Sequence, residues 1–147
     1  MHSYREVELN LNESNESTKR LIPIFILVMI AGGLGAISRV ALGLVVEVGA
    51  NGFPWGTFIS NMLGAFGLVW IRLRANDPIW QHVWCQRVVG TGFFGAFTTF
   101  SALGNETWLL FEFAGWFRAG WYVGLSLIGG ALMALIATKW FAKKAVE

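Results

Sequence analysis

One cysteine, two histidines, three prolines and a charged fraction of only 14% set the first limits on this chain. A single thiol, Cys85, excludes an internal disulfide and any zinc site built on cysteines. His2 and His82 lie far apart and match no metal-ligand spacing. No nucleophile–base pair is apparent, so an enzyme is not indicated. His82 and Cys85 do share a loop, but with a three-residue spacing and no third ligand they suit a solvated turn. The net charge of +2 is too small to call for a nucleic-acid partner. What the chain has in quantity is apolar: 55% of its 147 residues are hydrophobic, among them 12 Phe and 8 Trp, and Gly occurs 18 times. A soluble domain of this size carries more charge. The excess is that of an all-α integral membrane protein whose apolar runs are spans.

Residues 1–20 are polar and charged around Asn12-Glu13-Ser14-Asn15-Glu16-Ser17-Thr18 and read as a disordered tail. Residues 21–147 then hold four spans, at about 21–46, 55–71, 88–113 and 119–141. In the first, Gly32, Gly33, Gly35 and Ala36 offer a smooth face for another helix, and Arg39 follows inside the apolar run. An arginine there must pair, bind carbonyls or snorkel to the surface. Pro54 opens the second span, which carries Gly56, Thr57, Asn61, Gly64 and Gly67. Asn61 is either interhelical glue or a donor facing a pore, since its amide offers two N–H groups to an anion.

The third span holds the most irregular stretch, Gly90-Thr91-Gly92-Phe93-Phe94-Gly95-Ala96-Phe97-Thr98-Thr99-Phe100-Ser101. Gly weakens a helix interior, and Thr and Ser hydroxyls compete for backbone partners. Irregular backbone at membrane depth persists only where protein buries it or where it lines a wet cavity. The stretch therefore reads as a broken helix at a transport site, with close packing through small residues as the competing reading. Glu106 lies toward the far end of this span. In the fourth span Tyr122, Ser126 and Gly130 recur every four residues and so share one helix face.

These pieces together resemble the Fluc (CrcB) fluoride channels. The matching residues are Gly32-Gly33-Leu34-Gly35-Ala36-x-x-Arg39, Gly56-Thr57-x-x-x-Asn61-x-x-Gly64 and Gly92-x-x-Gly95-x-x-Thr98-Thr99-Phe100-Ser101, in one order within a four-span chain. The resemblance implies an antiparallel, dual-topology dimer of four-helix subunits in the cell membrane, surrounded by lipid, with two narrow pores along the subunit interface. Those pores would let fluoride leave the cytoplasm down its gradient, with Na+ bound as a structural ion. The sodium-binding carbonyls would fall on Gly95 and Thr98. The fluoride pore would fall on Asn61, Phe100, Ser101, Thr99, Tyr122 and Ser126, with Arg39 and Glu106 in support. Two positions depart from the family's pattern. Leu103 stands where the second pore phenylalanine is expected, and Gly130 where many relatives have a serine.

The basic residues bear on the partner. Arg5, Lys19, Arg20, Arg72, Arg74, Arg87, Lys139, Lys143 and Lys144 share one side, against Arg118 on the other. That bias favours both termini in the cytoplasm. An antiparallel homodimer needs half its copies inserted the other way, so a heterodimer with a related chain of opposite bias is the alternative. Other functions compatible with the residues are a proton- or sodium-coupled secondary transporter using Glu106 and Arg39 as a relay, and a membrane scaffold that transports nothing.

Overall fold

The computed structural model describes residues 2–46, 52–74 and 85–142 of the chain. All its regular structure is helical, with no strand among the described residues. Helix α1 runs over His2–Val45. The stretch expected as a disordered tail is thus helical from its second residue and continuous with the first span. His2 to Arg20 contain neither Gly nor Pro, so the stretch carries no helix breaker. Adding residues to a helix already formed also avoids the cost of nucleation. At 1.5 Å per residue, roughly 66 Å of helix results, about twice the bilayer's hydrocarbon core. Only Leu21–Val45 is apolar enough to cross it.

Helix α2 covers Trp55–Leu73 and begins directly after Pro54, as expected. The third segment does not form one helix. A π-helix, π1, runs over Gln86–Phe94 and passes into a single α-turn, α3, at Gly95–Phe97. Thr98 and Thr99 are then extended, at φ −82°, ψ 155° and φ −150°, ψ 128°. Helix α4 resumes over Phe100–Ala114. Gly115 at φ +88° turns the chain into α5, Trp116–Ala142. Among the described residues, three helices are consequently long and apolar enough to span a membrane: the apolar part of α1, α2 and α5. The segment between α2 and α5 falls short because it is broken. Cys85 is buried at the entry to π1, not placed on a solvated turn; His82 lies outside the described residues.

Small residues set how α1 and α2 grip the broken segment from either side. A Cβ on Gly35 would collide with the Phe93 carbonyl, and one on Gly92 would come within 2.9 Å of the Val28 carbonyl. Gly33, by contrast, has open space around it, so only part of the expected smooth face is used. On the other side Asn61, Gly64 and Gly67 share one face of α2 at three-residue spacing. Gly64 receives the Thr98 methyl and Gly67 receives the Phe94 ring. Residue numbers rise together along α1 and the third segment, and run in opposite senses along α2 and the third segment. The segment is thus parallel to α1 and antiparallel to α2. Helix α5 packs along α2, with Met62 against Gly129 and Phe66 against Phe141.

Candidate functional site at the helix break

An unbroken α-helix would carry hydrogen bonds from the Thr99 and Ala102 N–H groups to the Gly95 and Thr98 carbonyls. Both donors are diverted here. The Thr99 N–H donates to Asn61 Oδ1 at 2.8 Å, and the Ala102 N–H donates to Thr99 Oγ1 at 3.2 Å, which caps α4. Asn61 returns the bond: its Nδ2 donates to the Thr99 carbonyl at 3.0 Å. An amide is suited to this, because it presents one acceptor and one donor side by side to a backbone that has lost both partners. The break is therefore held from α2. It is also held from α1, where Arg39 Nε donates to the Ala96 carbonyl at 3.3 Å. Of the options open to an intramembrane arginine, this one binds a carbonyl.

Several expected site residues converge on one cleft of about 290 Å³. Asn61, Thr98, Thr99, Phe100, Leu103 and Ser126 line it, together with apolar Ala65, Leu68 and Leu127. Ser126 is buried, and its Oγ has no hydrogen-bond partner among the described residues. Buried hydroxyls are seldom left so, and this one lines a cavity with room for a guest. The start of α4 opens at the same place, with Phe100 and Ser101 as its first residues. A helix start carries unsatisfied N–H groups and partial positive charge. Thr99 Oγ1 and Ser101 Oγ share a hydrogen bond at 3.1 Å. Phe100 is 81% exposed, whereas Leu103, three residues on, is buried.

Glu106 and Tyr122 form a second polar group, one helical turn from the Ser126 level of α5. The Tyr122 hydroxyl donates to Glu106 Oε2 at 2.6 Å, and the Thr57 hydroxyl donates to Oε1 at 2.7 Å. Each carboxylate oxygen thus has its own donor. Tyr122 is fully buried, edge-on to Phe53 and packed with Leu103, Leu110 and Ala119. Thr57 belongs to the Gly56-Thr57-x-x-x-Asn61 pattern, and its signal in the sequence is its position four residues before Asn61, on the same face of α2. Arg39 and Glu106 are engaged with different partners, one a carbonyl and the other two hydroxyls.

A break that needed φ > 0 at Gly95 would make this position intolerant of a Cβ, and the structure has no such need. The Gly95 backbone is helical, at φ −62°, ψ −31°, and a Cβ there would meet nothing closer than the Gly90 carbonyl at 3.9 Å. The departure from helix comes three residues later, at two threonines that prefer extended backbone.

Residues 26–138 match the family described as CrcB-like protein, Camphor Resistance (CrcB). The chain is 39% identical over 115 residues to the fluoride-specific ion channel FluC 1 of Latilactobacillus sakei subsp. sakei (strain 23K), covering 74% of this chain and 80% of the relative. It is 41% identical over 111 residues to FluC 2 of Geobacillus kaustophilus (strain HTA426), covering 74% and 85%. It is 37% identical over 105 residues to FluC 1 of Desulfitobacterium hafniense (strain Y51), covering 71% and 91%. A broken segment between apolar helices, an asparagine braced against it and a match across most of the chain agree, and the chain belongs to the CrcB family of membrane proteins.

Proposed function

We propose that this chain is a fluoride-specific ion channel that lets fluoride leave the cytoplasm down its gradient and so reduces fluoride toxicity. The observation that carries the reading is the donor set around the cleft. Asn61, the unpartnered Ser126 hydroxyl and Phe100 at the start of α4 line one cavity bordered by apolar side chains. Fluoride is small and strongly hydrated, so its passage needs donors that replace water. Conduction also needs those donors to be weak and spread out, because one tight site would trap the ion. The Phe100 ring adds a positive edge without adding a charge. Relatives named fluoride-specific ion channels support the same reading. The test is fluoride efflux from liposomes holding the pure protein, with chloride as the control ion. Fluoride efflux without chloride efflux is expected, and comparable chloride efflux would overturn the selectivity.

Na+ fits the break as a structural ion. The Gly95 and Thr98 carbonyls are the two whose helical donors are diverted to side chains, and a hard cation is held by oxygens of this kind. The chain's own part is to hold those carbonyls in place through Asn61 and the Thr99 cap. In this reading two copies pair in antiparallel fashion as a homodimer, each a four-span subunit whose third span is the broken segment. Phe100, exposed on a single chain, then faces the partner or the pore. Removing sodium should lower fluoride flux, and the flux should not reverse with the sodium gradient. A reversal would favour the sodium-coupled transporter.

A further inference from the structure

We propose that Arg39 is a positioning residue that restricts the cation at the break to a single charge. The inference rests on the sodium reading above and concerns what that reading leaves unexplained: an arginine directed at the same run of carbonyls. Ala96 lies between Gly95 and Thr98 in the chain, and its carbonyl would accept from the Phe100 N–H in an unbroken helix. Phe100 instead begins α4, and the Ala96 carbonyl accepts from Arg39 Nε at 3.3 Å.

This contact does two things. It removes one carbonyl, that of Ala96, from the group at Gly95–Thr98 that has lost its helical donors and that a cation could gather. It also fixes a permanent positive charge at the Ala96 carbonyl, the next along the chain from that of Gly95, because a guanidinium keeps its proton. Arg39 is half-buried and its side chain comes from α1, which the Gly35–Phe93 and Gly92–Val28 contacts lock against the segment. The charge therefore cannot drift far from the break. Repulsion between the guanidinium and a bound ion scales with the ion's charge, so a divalent ion suffers twice the penalty of a monovalent one. Without Arg39, backbone carbonyls would favour the ion with the higher charge. With it, that preference is offset and a monovalent ion is admitted. A role in packing alone predicts no such dependence on valence.

The test is equilibrium binding of radioactive sodium and radioactive calcium to the purified full-length protein. Three forms are compared: the unaltered chain, Arg39→Gln, which keeps an N–H donor without charge, and Arg39→Lys, which keeps the charge. The unaltered chain and Arg39→Lys should bind sodium and hold it against an equal concentration of calcium. Arg39→Gln should bind calcium at least about tenfold more tightly than the unaltered chain does. Calcium affinity in Arg39→Gln within about twofold of the unaltered chain would overturn the proposal, as would equal gains in Arg39→Gln and Arg39→Lys. Should Arg39→Gln fail to fold, competition in the unaltered chain decides alone. Calcium displacing sodium there overturns the proposal, and failure to displace it supports the proposal. Absence of sodium binding by the unaltered chain would remove the sodium reading itself, and this inference with it, a result distinct from sodium binding without valence control.

Discussion

Asn61 and Thr99 exchange two hydrogen bonds across 38 residues of sequence, amide oxygen to backbone N–H and amide nitrogen to backbone carbonyl. Through this pair α2 determines where the third segment stops being a helix. Asn61 also lines the cleft, so the residue that holds the break borders the cavity as well.

That pairing makes Asn61→Asp harmful in two ways. The carboxylate can still accept from the Thr99 N–H, but it sets an oxygen against the Thr99 carbonyl and adds a negative charge to the proposed anion path. Fluoride efflux should fall to the background of protein-free liposomes. Asn61→Ala loses both bonds without adding charge, at a cost of roughly 2–4 kcal/mol. Thermal denaturation in detergent together with efflux separates the two effects. Wild-type melting and wild-type flux in Asn61→Ala would show that the break is held by something else.

Glu106, Thr57 and Tyr122 should behave as one unit. Removing either hydroxyl leaves a carboxylate oxygen without its donor, and Tyr122→Phe or Thr57→Val should each cost about 1–3 kcal/mol. The double variant should cost less than the sum, because the second loss acts on a group already disturbed. Melting of both single variants and the double variant gives the coupling. Strict additivity would mean that the two hydroxyls act on Glu106 independently.

The sequence made the existence of the break legible, but not its position. Three glycines and a run of Thr and Ser mark the whole of Gly90–Ser101 as irregular, without fixing where in it the helix ends. Gly90, Gly92 and Gly95 all turn out helical, and the extended residues are Thr98 and Thr99. The reason is long-range. Asn61 and Arg39 supply partners from 38 and 57 residues away, and no local pattern announces such pairs. The same holds for Thr57 and Glu106, 49 residues apart. The helical N-terminal stretch is hidden for the opposite reason: its polar composition suggests disorder, although it lacks helix breakers and continues into an apolar helix. The glycine faces were legible as packing surfaces, though the spacing alone could not tell Gly35, which is pressed against backbone, from Gly33, which is free.

Gly35 and Gly33 therefore offer a controlled comparison. Gly35→Ala forces a methyl into the Phe93 backbone, and backbone cannot rotate away as a side chain can. A loss of roughly 1–3 kcal/mol is expected, together with reduced flux as α1 is pushed off the segment. Gly33→Ala meets open space and gains helix propensity, so its stability should stay within about 1 kcal/mol of the parent, on the favourable side. Gly95→Ala should resemble Gly33→Ala. Melting temperatures of the three variants decide it. A destabilised Gly33→Ala would mean that a partner chain covers that face.

Leu103 is the position where the pattern of the family and the packing of this chain pull apart. By the resemblance, a phenylalanine here would complete the set of pore rings, so Leu103→Phe should speed conduction if the chain pairs with itself. In the structure Leu103 both lines the cleft and belongs to the buried cluster of Tyr122, Leu110 and Ala119. A larger ring must either swing into the cleft or press on Tyr122, and overpacking costs typically 1–3 kcal/mol. If the ring swings into the cleft, flux rises and the melting temperature changes little. If it presses on Tyr122, the Tyr122–Glu106 hydrogen bond at 2.6 Å is the first contact to suffer, and both stability and flux fall. The cleft side has room and the cluster side has none, so the first outcome is expected. Fluoride efflux and melting of Leu103→Phe, measured on the same preparation beside Phe100→Ile, distinguish the cases. Phe100 is exposed, so Phe100→Ile should leave melting of the subunit unchanged while cutting flux. A gain of flux at Leu103→Phe together with a loss at Phe100→Ile would establish that ring edges, and not apolar bulk, carry the anion past this point.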